Sequence, residues 1–466
     1  MKRIGGYMTK VHFIAIGGSV MHQLAIALKN KGYLVTGSDD EIFEPALSNL
    51  RQAGILPAAM GWDAGKITAD TDAIILGMHA REDNPELIKA RELGLKIYSF
   101  PEYIYQESRE KTRVAIGGSH GKTTTTAMIM HVLQQNKRDF DYLVGAKLEG
   151  FAQSVNITNA PIIVCEADEY PASVIEKRPK FHFLHPQIAV LTGIAWDHIN
   201  VFPTYEIYET QFAIFIRDMQ AGAVLIYNNS DPALVKVVEA NGQHLQLIPY
   251  AIPEHHIENG VTTVTFGNHS ASLKVFGDHN LLNMHAARLV CNQLGISDAD
   301  FLSAISSFKG AAKRLELVAA NDHCAIYRDF AHAPSKVKAT MEATQQQFPG
   351  RKLIAVLELH TYSSLNADFL DQYYGALDPA TIAAVYYSKH ALEIKRMPDL
   401  SPELIAQRFG RNDLHIFNSR EKLENFLQGQ SYQDTNLLLM SSGTYDGLDF
   451  PKLAALLPLN NQHTTK

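Results

Sequence analysis

One junction near residue 116 constrains this chain more than anything else in it. A short β-rich apolar run, residues 113–116, passes directly into Gly117-Gly118-Ser119-His120-Gly121-Lys122-Thr123, and helical spacing follows to about Asn136. Strand, glycine loop, helix is an order that few architectures accommodate. The strand has to lie inside a largely parallel sheet, and the helix has to pack back across it. Backbone N–H groups in such a loop, backed by a helix N-terminus, cradle phosphate oxygens. Lys122 then reaches the terminal phosphates, and the Thr123 hydroxyl is offered to Mg²⁺. The full Walker pattern places a glycine six residues before the lysine; Ile116 stands there, so the loop is a shortened variant.

The same rhythm recurs along the chain. Residues 11–16 form an apolar run, residues 21–31 carry Met21, Leu24, Ala25 and Leu28 at helical spacing, and residues 33–36, 73–76 and 96–98 read as further strands. Helices are expected from Glu44 and from Pro85, where proline suits a helix start. After the glycine loop come strands at 162–165, 188–191 and 223–227, then an alternating hairpin at 262–266 and 272–276. A third cycle runs through 325–327, 353–357, 383–387 and 436–440. At 466 residues the chain is too long for one core. We expect three α/β domains, 1–110, 111–311 and 312–466, with seams near 110 and 312.

Bulk properties narrow the partners. A net charge of −7 argues against bulk electrostatic binding to nucleic acid. No run approaches the roughly 18 apolar residues that span a bilayer. Cys165, Cys291 and Cys324 lack paired spacing, which argues against a disulfide framework or a cysteine zinc site and fits a reducing compartment. The apolar run after Met1-Lys2-Arg3 is broken by His12, Gly17 and Gly18, so it reads as a first strand rather than a signal peptide. The expectation is a soluble cytoplasmic protein with no nucleic-acid, membrane or obligate protein partner.

Two further stretches carry chemistry. Cys165-Glu166-Ala167-Asp168-Glu169 ends an apolar strand, where ligands of open α/β sheets sit. A carboxylate there suits a metal shared with phosphate oxygens and Thr123. Trp196-Asp197-His198 likewise follows residues 188–191. A dehydrogenase built on Gly17-Gly18 and Asp39 is a rival, but the loop lacks G-x-G-x-x-G and the second nucleotide loop would go unexplained. A nucleotide-binding protein without ligase activity is the other rival.

These residues resemble a family. Residues 118–126 (GSHGKTTTT), 166–170 (EADEY), Asp197-His198, 277–283 (GDHNLLN) and 327–334 (YRDFAHAP) occur in the order of the Mur ligases. The resemblance covers nearly the whole chain. It implies a three-domain α/β architecture: a Rossmann-like UDP-sugar domain, a central P-loop ATP domain, and a Rossmann-like C-terminal domain that delivers an amine. ATP and Mg²⁺ are the implied cofactors, and an acyl phosphate attacked by the amine is the implied chemistry. Carried over, Lys122, Glu166 and His198 are catalytic, and Thr123, Glu166 and His198 hold metal. Gly118, Ser119, His120, Gly121, Lys122, Thr123 and Thr124 hold phosphates. His279, Asn280 and Asn283 contact adenine, and Arg314 and Asp329 close over ATP.

Residues 12–21 together with Gly37-Ser38-Asp39 resemble the branch that uses UDP-N-acetylmuramate, with Gly17, Gly18, Ser19, Ser38 and Asp39 as UDP-sugar contacts. Ala15 and Val20 make this loop closer to members that attach the tripeptide L-Ala-γ-D-Glu-meso-diaminopimelate than to those that add L-alanine. The C-terminal segment agrees. Alanine-adding members carry arginine after the strand at 353–357, and here Glu358-Leu359-His360-Thr361-Tyr362-Ser363-Ser364 has none. Alanine's free carboxylate favours an arginine clamp, whereas a tripeptide presents an amide there. His332, His360, Ser442 and Tyr445 are the candidate amine contacts. Two departures stand out. Ala333 replaces a second histidine, and no lysine lies between Ile199 and Arg217, so a carbamylated-lysine metal bridge is not expected.

Overall fold

The computed structural model describes residues 8–78, 80–145, 148–173, 175–196, 201–310 and 314–457. By contact the chain divides into two compact units, Met1–Ile252 with Leu282–Ile305, and Pro253–Leu281 with Ser306–Lys466.

The first unit holds two sheets. Strands β1 (Lys10–Ile14), β2 (Leu34–Ser38), β3 (Ala73–Leu76) and β4 (Ile97–Ser99) are all parallel, in the order β2-β1-β3-β4. The helix Ser19–Asn30 buries Met21, Leu24, Ala25 and Leu28, the apolar face that the spacing predicts. The second sheet has seven strands: β5 (Thr112–Gly117), β6 (Asp141–Leu143), β7 (Val155–Asn156), β8 (Ile162–Glu166), β9 (Ile188–Leu191), β10 (Val224–Asn228) and β11 (Gln246–Tyr250). Their order is β11-β10-β9-β5-β8-β6-β7, and only the β6–β7 pair is antiparallel. β5 sits between β8 and β9, and Val114, Ala115, Ile163, Val164, Ala189 and Val190 are enclosed. Burial on both faces is why these strands read as unbroken apolar runs.

The second unit holds a three-stranded antiparallel sheet, β12 (His255–Glu258), β13 (Val261–Phe266) and β14 (His269–Leu273). It also holds a six-stranded sheet: β15 (Glu316–Ala320), β16 (Ala325–Asp329), β17 (Lys352–Leu359), β18 (Ile382–Tyr387), β19 (His415–Phe417) and β20 (Thr435–Met440). The order there is β15-β16-β20-β17-β18-β19, with β15 antiparallel to β16.

The hairpin expected at 262–266 and 272–276 is displaced on its return strand. Phe266 pairs with His269 across a two-residue turn, so the second strand starts three residues early. Its first two residues, His269 and Ser270, are polar and exposed, and the apolar alternation begins only at Ala271 and Leu273. Strands β6, β7, β11, β12 and β19 carry no clear signal in the sequence either. All but β6 lie at a sheet edge, where one side has no partner and burial does not demand an apolar run. Among the described residues no helix is long and apolar enough to cross a membrane.

Arg113, at the start of β5, binds two stretches of the first unit together. Its Nε donates to the carbonyl oxygens of Leu184 and His185, both at 3.0 Å, and its Nη1 donates to those of Ser108 at 2.9 Å and Arg109 at 3.1 Å. Ser108 ends the helix Phe100–Ser108, so a side chain satisfies carbonyls that the helix leaves open. Arg113→Met strips these buried acceptors of their donor, and we expect a loss of about 2–4 kcal/mol. Arg113→Lys is expected to recover little, because an ammonium cannot reproduce the planar fork. Urea denaturation of the three proteins checks this; a lysine variant as stable as wild type would contradict the carbonyl-hub account.

Candidate active site

The glycine loop lies at the carboxyl end of β5 and opens the helix Lys122–Gln135. Two left-handed glycines shape it. At Gly118 (φ +119°) an added Cβ would stand 2.8 Å from the Thr192 nitrogen and 2.9 Å from the Gly193 oxygen. At Gly121 (φ +88°), the helix N-cap, it would run into the Asn283 side chain. Between them the loop is tied to the segment after β9. Ser119 N donates to Gly193 O at 2.9 Å, and the Thr192 hydroxyl donates to His120 O. The first backbone donors of the helix have no acceptor one turn earlier, so the loop and the helix start form a concave set of N–H groups.

The side chains fit an anion and a small hard cation. Lys122 Nζ donates to Gly118 O at 2.6 Å and to Glu169 Oε2 at 2.7 Å. Thr123 Oγ1 donates to Glu166 Oε1 at 2.8 Å, and Glu166 Oε2 accepts from Gly145 N at 2.9 Å. Mg²⁺ takes hard oxygen ligands and completes its shell with water and phosphate, so the Thr123–Glu166 pair suits it without a full protein cage. Among the described residues no three acidic, histidine or cysteine side chains converge as such a cage. Asp197 and His198 lie outside the described residues. Burial by itself would push the Asp168 carboxyl up, but Lys180, 2.6 Å away, and the nearby Lys122 hold it below the ordinary range. Thr124 is buried under the loop.

Asn283 is buried and accepts from Thr125 Oγ1 at 3.3 Å, so its amide supports the loop from beneath. Asn280, also buried, donates to Phe276 O at 2.9 Å within its own helix start. Both amides expected at adenine are thus engaged inside the protein. His279 is half-buried; the protein packed around it lowers its pKa, Asp329 and Asp278 oppose that, and Arg314 reinforces it.

A cavity of about 1090 Å³ opens at the carboxyl edge of the first sheet and is lined by Gly17, Gly18, Ser19 and Asp39, together with Arg81 and Asn84. Ser38 lies beneath it, fully enclosed, and accepts from Lys66 Nζ at 2.8 Å. Asp39 accepts from Gly17 N at 2.6 Å and Asp40 N at 3.0 Å, and burial raises its pKa to about 6. Asp39 therefore shapes the glycine turn. Ala15 adopts φ +65° just before it, a conformation that costs an L residue roughly 1–2 kcal/mol.

In the second unit Asp329 is a backbone clamp. It accepts from Leu315 N at 2.6 Å and Ala331 N at 2.7 Å, and so fixes the residue after Arg314 and the residue before His332. The Arg314 guanidinium lies 4.9 Å from the centre of the Phe330 ring. His332 bonds through Nδ1 to Phe330 O at 2.8 Å. His360 faces the Glu358 carboxylate at 3.8 Å, and the Ser442 hydroxyl is buried without a partner. Tyr445 corrects an expectation. It is fully enclosed, with its hydroxyl donating to Val356 O at 3.0 Å and Met440 O at 2.8 Å, so it is a core residue that cannot touch an amine substrate.

The sequence reading passes over two buried acids. Glu169 pairs with Lys122, and Glu358 accepts from Ser441 Oγ and from Tyr445 N at 2.9 Å, with burial raising its pKa. For Glu169 a signal existed, since it closes the acidic cluster after β8. For Glu358 the signal was a single acid one residue before the end of the apolar strand β17.

Comparison with known proteins places these features in a family. Residues 10–112 match the Mur ligase family catalytic domain, 116–291 the Mur ligase middle domain, and 313–443 the Mur ligase glutamate ligase domain. UDP-N-acetylmuramate–L-alanine ligase of Sulfurihydrogenibium sp. is 30% identical over 94% of this chain and 96% of its own length. UDP-N-acetylmuramate–L-alanyl-γ-D-glutamyl-meso-2,6-diaminoheptandioate ligase of Haemophilus influenzae is 26% identical, covering 95% and 98%. The crystal structure of UDP-N-acetylmuramate-alanine ligase from Thermotoga maritima has a TM-score of 0.64 at 20% identity, over 96% of this chain and 98% of that one. Several other relatives carry the alanine ligase's name.

Gly118→Ala is expected to distort the loop at fixed backbone, at a cost of about 1–3 kcal/mol for the strained φ. Binding of a magnesium nucleotide should weaken at least about tenfold while the circular dichroism spectrum stays that of wild type. Calorimetric titration with the alanine variant measures it, and unchanged affinity would show that loop shape is not what holds the phosphates.

Proposed function

The chain belongs to the Mur ligase family, and on that premise we propose that it joins the carboxylate of UDP-N-acetylmuramate to the amine of the tripeptide L-Ala-γ-D-Glu-meso-diaminopimelate. As a Mur ligase it is an ATP-dependent acid–amino-acid ligase with an α/β three-domain architecture. The tripeptide reading rests chiefly on the segment 358–364, which carries no arginine. The enclosed Glu358 carboxylate stands one residue before the end of β17, 3.8 Å from His360, and belongs to the core rather than to the segment's outer face. Arg328, on β16, is occupied by Glu316 at 2.7 and 2.9 Å, and Arg351, just before β17, by Asn436 at 3.1 Å. A free alanine carboxylate brought to that segment would find no guanidinium to pair with, and an unpaired buried charge costs several kcal/mol. A peptide presents a neutral amide instead, and it gains remote contacts that align its amine. The 26% identity with the H. influenzae enzyme named for that tripeptide supports the reading.

In this reading residues 1–110 hold the UDP-sugar, 111–311 the nucleotide and 312–466 the amine. Thr123 and Glu166 would hold Mg²⁺, with His198 as a further candidate. When bound, MgATP supplies the phosphoryl group that activates the acceptor carboxylate as an acyl phosphate, which the amine then attacks with release of phosphate. The loop's N–H groups orient the phosphates, and Lys122 neutralises their charge. Arg314 and Asp329 act from the C-terminal segment, Asp329 by holding the backbone that carries Arg314.

Lys122→Ala and Glu166→Ala are each expected to cut phosphate release at least about 100-fold, with secondary structure retained. Near-normal release by either folded variant would remove this loop from the reaction. For the amine, equal concentrations of L-alanine and the tripeptide compete for UDP-N-acetylmuramate, and the nucleotide products are weighed by mass spectrometry. The tripeptide adduct should dominate. A product heavier by one alanine residue would identify an alanine-adding enzyme.

A further inference from the structure

Lys122 already has an anion. Its ammonium lies 2.7 Å from Glu169 Oε2, and Glu169 is completely enclosed while Lys122 is 13% exposed. The other Glu169 oxygen accepts from the Tyr208 hydroxyl at 3.3 Å, and that hydroxyl shares a 3.0 Å hydrogen bond with Ser119 Oγ of the loop. Tyr208 comes from the helix Tyr205–Asp218 and is itself enclosed. The loop is therefore held twice by one carboxylate, through Lys122 and through Tyr208 to Ser119. The Thr123–Glu166 bond and the Lys180–Asp168 pair lie on either side, and each has a partner of its own. Glu169 therefore stands out as the acid bonded directly to the phosphate-reaching lysine.

We propose that Glu169 is the resident counter-ion of Lys122 and the anion that the nucleotide's terminal phosphates must compete with, so that nucleotide binding exchanges one anion for another at a single ammonium. This rests on the nucleotide reading of the loop. Glu169 acts through Lys122 and is a positioning residue. Before binding it keeps an almost buried lysine neutralised and points it across the mouth of the loop. During binding it takes back part of the Coulombic gain, because a carboxylate with no water around it is left beside incoming phosphates.

Glu169→Gln tests this, since the amide keeps the shape and the Tyr208 contact while losing the charge. Two readouts are taken on the full chain: MgADP affinity by calorimetry, and the melting temperature with and without saturating MgADP. The glutamine variant should melt below wild type without nucleotide, because Lys122 then loses the carboxylate bonded to it. It should bind MgADP about tenfold more tightly, and MgADP should raise its melting temperature more than it raises that of wild type. Equal stabilisation of both proteins by MgADP, or unchanged or weaker affinity in the variant, overturns the proposal; a merely structural Glu169 gives that result. If the glutamine variant does not fold, Glu169→Asp keeps the charge but withdraws it by one methylene. A few-fold tighter MgADP is then expected, and equal or weaker binding overturns the proposal. Wild-type protein that fails to bind MgADP would remove the nucleotide reading and this inference with it. Wild-type binding with an unaltered variant removes this inference alone.

Discussion

The parallel register of β5 with its two neighbours sets Ile116 beside Glu166 on one side and Gly117 beside Leu191 on the other. Three strand ends therefore finish at one edge, and the chain leaving β5 has to turn between the segments leaving β8 and β9. Thr123 can meet Glu166 only because β8 ends where it does, and Ser119 can meet Gly193 only because β9 stops at Leu191, the residue paired with Gly117. A slip of one residue would swap the faces of a strand buried on both sides and carry Glu166 away from the loop. The packed core of β5, β8 and β9 forbids that slip, so hydrophobic burial fixes the geometry of a polar site.

Charge at this edge is balanced by pairing. Glu166, Asp168 and Glu169 outnumber Lys122 and Lys180, and each acid has a named donor: Thr123 and Gly145 for the first, Lys180 for the second, Lys122 and Tyr208 for the third. An edge with surplus negative charge repels a bare polyphosphate and accepts one that arrives with a divalent cation. The Thr123–Glu166 pair and Lys122 share one turn of helix because each has a partner of its own.

A second device recurs in both units. An acid at or just beyond a strand end accepts from backbone N–H groups and fixes the loop beside it. Asp39 holds Gly17, Asp231 holds Ile194, Asp329 holds Leu315 and Ala331, and Glu358 holds Tyr445. Ligand loops must leave the sheet edge, where no ladder bonds remain, so their backbone donors need other acceptors. A buried carboxylate can take two or more at once. Asp39 and Glu358 carry raised pKa values because burial outweighs those bonds.

The amino-acid sequence by itself determined the parts that depend on neighbours along the chain. The glycine loop between strand and helix, the acid at the end of an apolar run and the helical face of Met21, Leu24, Ala25 and Leu28 are all set by local conformation and burial on both faces. Edge strands such as β7 and β12 escaped it, because a strand paired on one side needs no apolar run. Only the tertiary structure decided which polar groups meet. Glu169 became the partner of Lys122, 47 residues away, and of Tyr208, 39 residues away. Tyr445 turned from a candidate contact into core, and Asn283 became a prop under Gly121. The physical reason is the same in each case. A side chain's role follows from where packed sheets carry it, and a residue's chemistry alone does not say whether it will face a ligand or another strand.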